Sequence, residues 1–152
     1  LSNGLTPFLT TEGGVNSGYM IVQYSAASMV SENKVLAHPA SVDSIPSSAN
    51  QEDMVSMGTT AARKSGWIVQ NTLSVLADEL LTACQAIDIR RRLNTHGQGI
   101  SPVHQKVFDR VRKDIAFYET DRELWQDIQA AEKLVRSGEL LEIVHETVSD
   151  FE

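Results

Sequence analysis

Apolar residues recur at helical spacing through most of the chain. Between about Glu52 and Leu93, the residues Val69, Leu73, Leu76, Leu80, Ala83 and Ile87 follow one another at intervals of four, three, four, three and four, the kind of seam that packs helices side by side in bundles. Trp67, Ile68, Val75 and Leu81 add apolar surface off that seam, so this rod is expected to be central and to touch neighbours on more than one side. An earlier helix is predicted from Ser17 to Ala37, with Met20, Tyr24 and Ala27 on one side, and Pro39 stops it by disfavouring the helical conformation of His38. Ser101-Pro102 supplies an N-cap and a first-turn proline for a helix carrying Val103, Val107, Val111 and Ile115. Asp121 is placed to cap another, with Trp125, Ile128, Leu134 and Val135 inward and Gly138 as its stop. Leu1 to Gly14 and Ala40 to Asn50 read as loops, and the nearest strand signal is the pair Thr10-Thr11. The expectation is an all-α fold of long packed helices: loop, helix and loop over 1–51, a long central helix over 52–93, and C-terminal helices over 101–148.

Charge changes this picture in one respect. Residues 1 to 60 hold six charged side chains, whereas the rest of the chain holds 27. A charge-poor stretch rich in Gly, Ser, Thr and Asn suits a large contact surface, either with further polypeptide or with other subunits. The 152 residues carry 13 Lys and Arg against 20 Asp and Glu, a net charge of −7. With Arg90-Arg91-Arg92 as the one basic cluster, nucleic acid and anionic membrane are not expected partners. No apolar run reaches the length of a membrane span, and the first fifteen residues lack the Lys or Arg of a targeting segment. Cys84 stands alone and cannot form an internal disulfide, so the cytoplasm is the default compartment. The start at Leu1, inside a loop-like string, suggests a piece of a longer protein.

The most informative string runs from Ser44 to Gly58 and contains Asn50-Gln51-Glu52-Asp53. It sets an amide and two carboxylates where a loop is expected to turn into the long helix, whose free N–H groups favour negative charge. Helix capping explains part of it: Asn50 as N-cap with Asp53 three residues on is a shortened capping box. Spacing alone favours a capping or surface role for Glu52 over a catalytic one, since a single carboxylate is not a catalytic signature. His38 reads as a helix-end residue, and His96, His104 and His145 lack the spacing of a helical metal pair, so no metal is expected. Gly97-Gln98-Gly99 reads as a turn between helices, Arg90-Arg91-Arg92 as cations offsetting a helix C-terminus, Asp43 as a loop acceptor, and Cys84 as an inert buried thiol.

Several strings together carry a resemblance. Asn3-Gly4-Leu5 with Phe8-Leu9, Asn16-Ser17-Gly18, Ser31-Glu32-Asn33-Lys34, the run from Ala37 to Ser44, and Ala49-Asn50-Gln51-Glu52-Asp53 resemble the aromatic amino-acid lyase family. Ser41-Val42-Asp43-Ser44 and Gln51-Glu52-Asp53 point to its histidine ammonia-lyase branch. The likeness runs in order from Leu1 to about Arg92 and is looser beyond Val103, where Tyr118, Asp121 and Arg122 look familiar. It implies the helical bundle of those lyases, also called fumarase/aspartase-like, and the chain looks like the C-terminal portion. Such enzymes eliminate ammonia with a methylidene-imidazolone (MIO) ring formed from an internal Ala-Ser-Gly. This chain has no Ala-Ser-Gly, so the ring is expected from the N-terminal part of the same enzyme and the fragment alone is expected to be inactive. The resemblance makes Glu52 the catalytic carboxylate and Gln51 a substrate-binding neighbour. It also implies a homotetramer acting on a small amino acid, L-histidine, to give urocanate. Met54 stands where histidine lyases commonly carry His, which keeps open a tyrosine or phenylalanine lyase or an aminomutase. A helical scaffold without catalysis is the rival from another class.

Overall fold

Prolines, glycines and left-handed turns divide the chain into rods, and polar contacts fix how the rods run. The computed structural model describes residues 4–93 and 99–148. Its helices are α1 (Met20–Leu36), α2 (Gly58–Leu93), α3 (Pro102–Asp114), α4 (Trp125–Ser137) and α5 (Glu139–Thr147), with short 3-10 turns at Pro7–Leu9 and Ala40–Val42. Among the described residues there is no strand, only isolated bridges at Gly13–Asn16 and Ser47–Glu52. The fold is all-α, as the periodicity predicts.

α2 is the central rod. α1 lies antiparallel to it: Asn71 Nδ2 donates to Glu32 Oε2 at 2.8 Å and to Asn33 Oδ1 at 3.0 Å, while at the other end Gln85 Nε2 donates to the Leu9 carbonyl at 3.1 Å. α4 is antiparallel on another side, where Ser74 bonds Glu132 and Arg136 bonds Gln70. α3 and α5 form an antiparallel pair tied by Arg110 to Glu139 and by Lys106 to Thr147. Ser101 accepts from the His104 N–H as N-cap of α3, with Pro102 in its first turn. Gly138, at φ 79°, ends α4 in the left-handed conformation that suits glycine.

The core joins Tyr19 and Val22, Ala77, Leu81 and Cys84 of α2, Phe108, Val111, Ile115 and Tyr118, and Ala131 and Leu134 of α4. Tyr19 and Tyr118 meet edge to face, ring centroids 5.5 Å apart. Burial pushes the Tyr19 hydroxyl and the Cys84 thiol above their ordinary pKa values, in keeping with an inert thiol.

Several expectations are corrected. The long helix begins at Gly58, not Glu52, because Ser44 to Val55 closes a loop of its own; Asn50 is therefore not an N-cap, nor Asp53 part of a capping box. The buried residues of α2 are Ala77, Asp78, Leu81, Cys84, Gln85 and Ile89, one or two positions on from the predicted seam, whose Val69 is 58% and Leu76 43% exposed. One residue is a rotation of roughly 100° about a helix, so the seam lies at the edge of the core, with Leu80 and Ile87 packed partly buried against it. On α1 Val22 is buried and Tyr24 exposed. α4 starts at Trp125, itself 52% exposed, instead of at Asp121, which serves another purpose described below.

Candidate functional site

Gln51 and Glu52 lie side by side on a tight loop ahead of α2. Ser47 and Glu52 pair as in an antiparallel hairpin: the Ser47 N–H donates to the Glu52 carbonyl at 2.9 Å and the Glu52 N–H returns to Ser47 at 3.3 Å. The tip between them passes through Ser48, Ala49 and Asn50 at φ 51°, 52° and 67°. Asn tolerates that region, whereas for Ser and Ala it costs on the order of 1–2 kcal/mol each. Strain of this kind persists only where surrounding bonds over-determine it. Here Ser44 supplies them, its Oγ donating to the Asp53 carbonyl at 3.1 Å and accepting the Val55 N–H at 2.8 Å. Ser47 Oγ also donates to Glu52 Oε2 at 3.3 Å.

The loop thus holds Glu52 by its backbone while leaving the carboxylate open to solvent. Gln51, Glu52, Asp53 and Met54 are all exposed, Met54 by 84%. Among the described residues, a cleft of about 590 Å³ lies at the opposite end of α1, between the Phe8–Leu9 turn and α2, and a smaller one of about 200 Å³ is lined by His38, Lys64 and Ile68 among others. What the arrangement offers chemically is a carboxylate that accepts hydrogen bonds beside an amide that both donates and accepts, presented at a surface.

The remaining candidates resolve into structural parts. His38 is exposed just past α1, and its carbonyl accepts from the Lys64 ammonium. His104 Nδ1 lies 2.7 Å from Ser101 Oγ. His145 sits on α5, and His96, Gly97 and Gln98 lie outside the described residues. Asp43 is exposed in its loop. Arg91 stacks over Phe108 and bonds Gln105, while Arg92 lies over Phe117 and pairs with Glu119 at 2.8 Å, so the basic run fastens the end of α2 to α3 and the segment after it.

A second cluster joins strings that lie far apart in sequence. Asp121 accepts the Ser17 N–H at 2.7 Å and the Gly18 N–H at 3.0 Å, and its own N–H donates to Asn16 Oδ1 at 3.0 Å. These backbone donors hold its carboxyl below the usual pKa. The Tyr118 hydroxyl contacts Asp121 and the Arg122 backbone. Gly18 has φ +58°, and a Cβ there would lie 2.5 Å from the Phe8 carbonyl oxygen. Beneath it the wholly buried Gln85 donates to the Leu9 and Tyr118 carbonyls and accepts the Tyr118 N–H. Asn16-Ser17-Gly18 and Tyr118, Asp121 and Arg122 are thus one clamp joining the chain's two ends. Gln85 went unremarked in the sequence, although an amide interrupting an apolar helical run was the available signal.

Residues 1–113 match the aromatic amino acid lyase family. The chain is 53% identical over 152 residues to histidine ammonia-lyase 1 of Fusobacterium nucleatum subsp. nucleatum, covering 100% of this chain and 29% of that protein. It is 54% identical over 144 residues to the histidine ammonia-lyase of Caldanaerobacter subterraneus subsp. tengcongensis, covering 95% and 27%. The crystal structure of histidine ammonia-lyase from Trypanosoma cruzi superposes with a TM-score of 0.85 at 44% identity, over 95% of this chain and 27% of the other. Tyrosine aminomutase from Streptomyces globisporus gives a TM-score of 0.85 at 33% identity, over 98% and 27%. The fold and these matches define a lyase-type helical bundle. The chain belongs to the aromatic amino acid lyase family, and it spans 29% of the length of the first of these relatives.

Proposed function

We propose that this chain is the C-terminal portion of a histidine ammonia-lyase, which as a whole protein eliminates ammonia from L-histidine to give trans-urocanate. The observation that carries the reading is 53% identity, across every residue of the chain, to a protein bearing that name. The histidine enzyme is favoured over a tyrosine aminomutase because the solved histidine lyase is 44% identical and the aminomutase 33% at equal TM-score.

In this reading the strained loop is the chain's contribution to the active site. Glu52 is the catalytic carboxylate: held by the Ser47 pairing, it accepts a hydrogen bond from the substrate's ammonium or imidazole N–H and helps move a proton as ammonia leaves. Gln51 binds the substrate beside it. A methylidene-imidazolone ring supplies the electrophile when present. The residues here suit the substrate's polar groups and not the ring's formation, since no Ala-Ser-Gly occurs among them. The ring therefore belongs to the N-terminal part of the same enzyme, and these residues alone are inactive. A homotetramer accounts for the exposed apolar residues Ile21, Tyr24, Trp67 and Val69 on α1 and α2. A cytoplasmic location fits a chain with one buried free Cys, in whose described residues no helix is long and apolar enough to cross a membrane.

The test is urocanate formation by the full-length protein, with L-tyrosine assayed in parallel. Glu52→Gln should lower turnover by roughly 10²–10⁴ with the fold intact by circular dichroism. Unchanged turnover removes Glu52 from the mechanism, and turnover of tyrosine alone overturns the substrate.

A further inference from the structure

The hairpin ahead of α2 contains more restraint than a surface loop needs. Ser47 and Glu52 exchange both backbone hydrogen bonds, at 2.9 and 3.3 Å, and residues paired in that way carry their side chains on one face, with Cβ atoms about 5 Å apart. Between them the chain turns back through three consecutive left-handed residues, Ser48, Ala49 and Asn50, and the Gln51 N–H closes the tip on the Ser48 carbonyl at 3.1 Å. Strain of this kind gathers where a side chain has to be held in one place. The two serines of the loop act differently. Ser44 Oγ binds backbone, at Asp53 and Val55, whereas the Ser47 hydroxyl donates to Glu52 Oε2 at 3.3 Å. Among the described residues Glu52 has no ion pair and no other side-chain hydrogen bond.

We infer that Ser47 is a positioning residue for Glu52, its hydroxyl taking Oε2 and so leaving Oε1 free for the substrate. A glutamate side chain turns about several bonds, and without a fixed donor its carboxylate samples several rotamers; a group that must meet a reacting proton loses rate when it is displaced even slightly. The serine Oγ is one bond from its Cβ, so the strained backbone sets where the donor stands. A hydroxyl suits the task better than a cation. As a neutral donor it orients the carboxylate and leaves its charge to receive a proton, whereas an Arg or Lys would neutralise that charge and compete with the substrate's ammonium. The inference rests on the proposal that Glu52 is the catalytic carboxylate of a longer lyase, and it names the group through which the loop acts on that carboxylate.

A double-mutant cycle on the full-length protein tests it, measured on whichever of L-histidine and L-tyrosine that protein turns over. Ser47→Ala should lower kcat roughly tenfold with KM changed by less than about twofold, since lost positioning is felt in the transition state and not in uniform binding. Ser47→Thr, which keeps the hydroxyl, should retain at least about half of kcat. In a Glu52→Gln background Ser47→Ala should cost less than about twofold, because no carboxylate is left to position. An equal loss in both backgrounds makes Ser47 a support for the loop alone and overturns the inference, as does a Thr variant no better than the Ala variant. If Ser47→Ala gives no folded protein, Ser47→Thr against Ser47→Val, alike in shape, decides, and equal turnover of the two is the overturning result. A drop with Glu52→Gln but none with Ser47→Ala strikes the hydroxyl's role and leaves Glu52 in the site. No drop with Glu52→Gln strikes the assignment of Glu52 and this inference with it.

Discussion

The two halves of α2 are one continuous helix with opposite fates. From Gly58 to Leu76 not one residue is buried, although Trp67, Val69 and Leu76 are large and apolar; from Ala77 to Ile89 lie all six buried residues of the rod. The C-terminal half is finished by its own chain: α1 and α4 flank it, Phe108, Ile115 and Tyr118 close over it, and Gln85 satisfies two carbonyls and an N–H that would otherwise be orphaned. The N-terminal half has the strained loop carrying Glu52 ahead of it, is tied to α1 and α4 through Asn71, Ser74 and Gln70, and leaves Trp67 and Val69 exposed. Helical periodicity is equal in both, so it tells that a residue can pack but not what packs against it.

The largest expected effect lies in the finished half. Gln85→Leu strands the Tyr118 N–H and the Leu9 and Tyr118 carbonyls, and at about 1–3 kcal/mol for each unsatisfied buried group it should cost on the order of 4 kcal/mol by denaturant titration of the chain. A cost below about 1 kcal/mol would mean that water replaces the amide and the half is less closed than described. Next comes the clamp that ties Asn16-Ser17-Gly18 to Asp121. Gly18→Ala forces a side chain into a left-handed backbone and against the Phe8 carbonyl, for roughly 2–3 kcal/mol in the same measurement. The smallest effect belongs to the open half: Val69→Ala should change the stability of the chain by less than about 0.5 kcal/mol while weakening subunit association of the full-length protein in analytical ultracentrifugation. A large loss in the chain itself would erase the contrast between the halves.

The candidate site shows the same division. Asn50-Gln51-Glu52-Asp53 stands out in the sequence as an amide and carboxylates at an element boundary, and its likeness to the lyases gives Glu52 and Gln51 their assigned roles. The hairpin that carries them does not stand out, because Ser48 and Ala49 give no hint of left-handed backbone. That conformation is held by the Ser47–Glu52 pair and by Ser44, contacts between residues several positions apart. Asp78 is illegible for a different reason. It sits among Leu76, Ala77, Glu79 and Leu80, and nothing local distinguishes an acid facing water from one buried as this one is.

By itself the sequence determined that the chain is helical, where proline and glycine interrupt it, and which family its motifs belong to, since propensity, period and breaker residues act over a few positions along the backbone. Only the tertiary structure decided that α2 buries positions one or two residues on from its evident seam, that Asp121 receives the Ser17 and Gly18 amides instead of capping α4, and that the helix starts at Gly58. Each of those outcomes depends on which neighbour removes a given face from water, and several faces of α2 are apolar enough to qualify. The choice among them falls to whichever surface brings the best-matched hydrogen bonds and apolar area, a property of the assembled chain and not of any single segment.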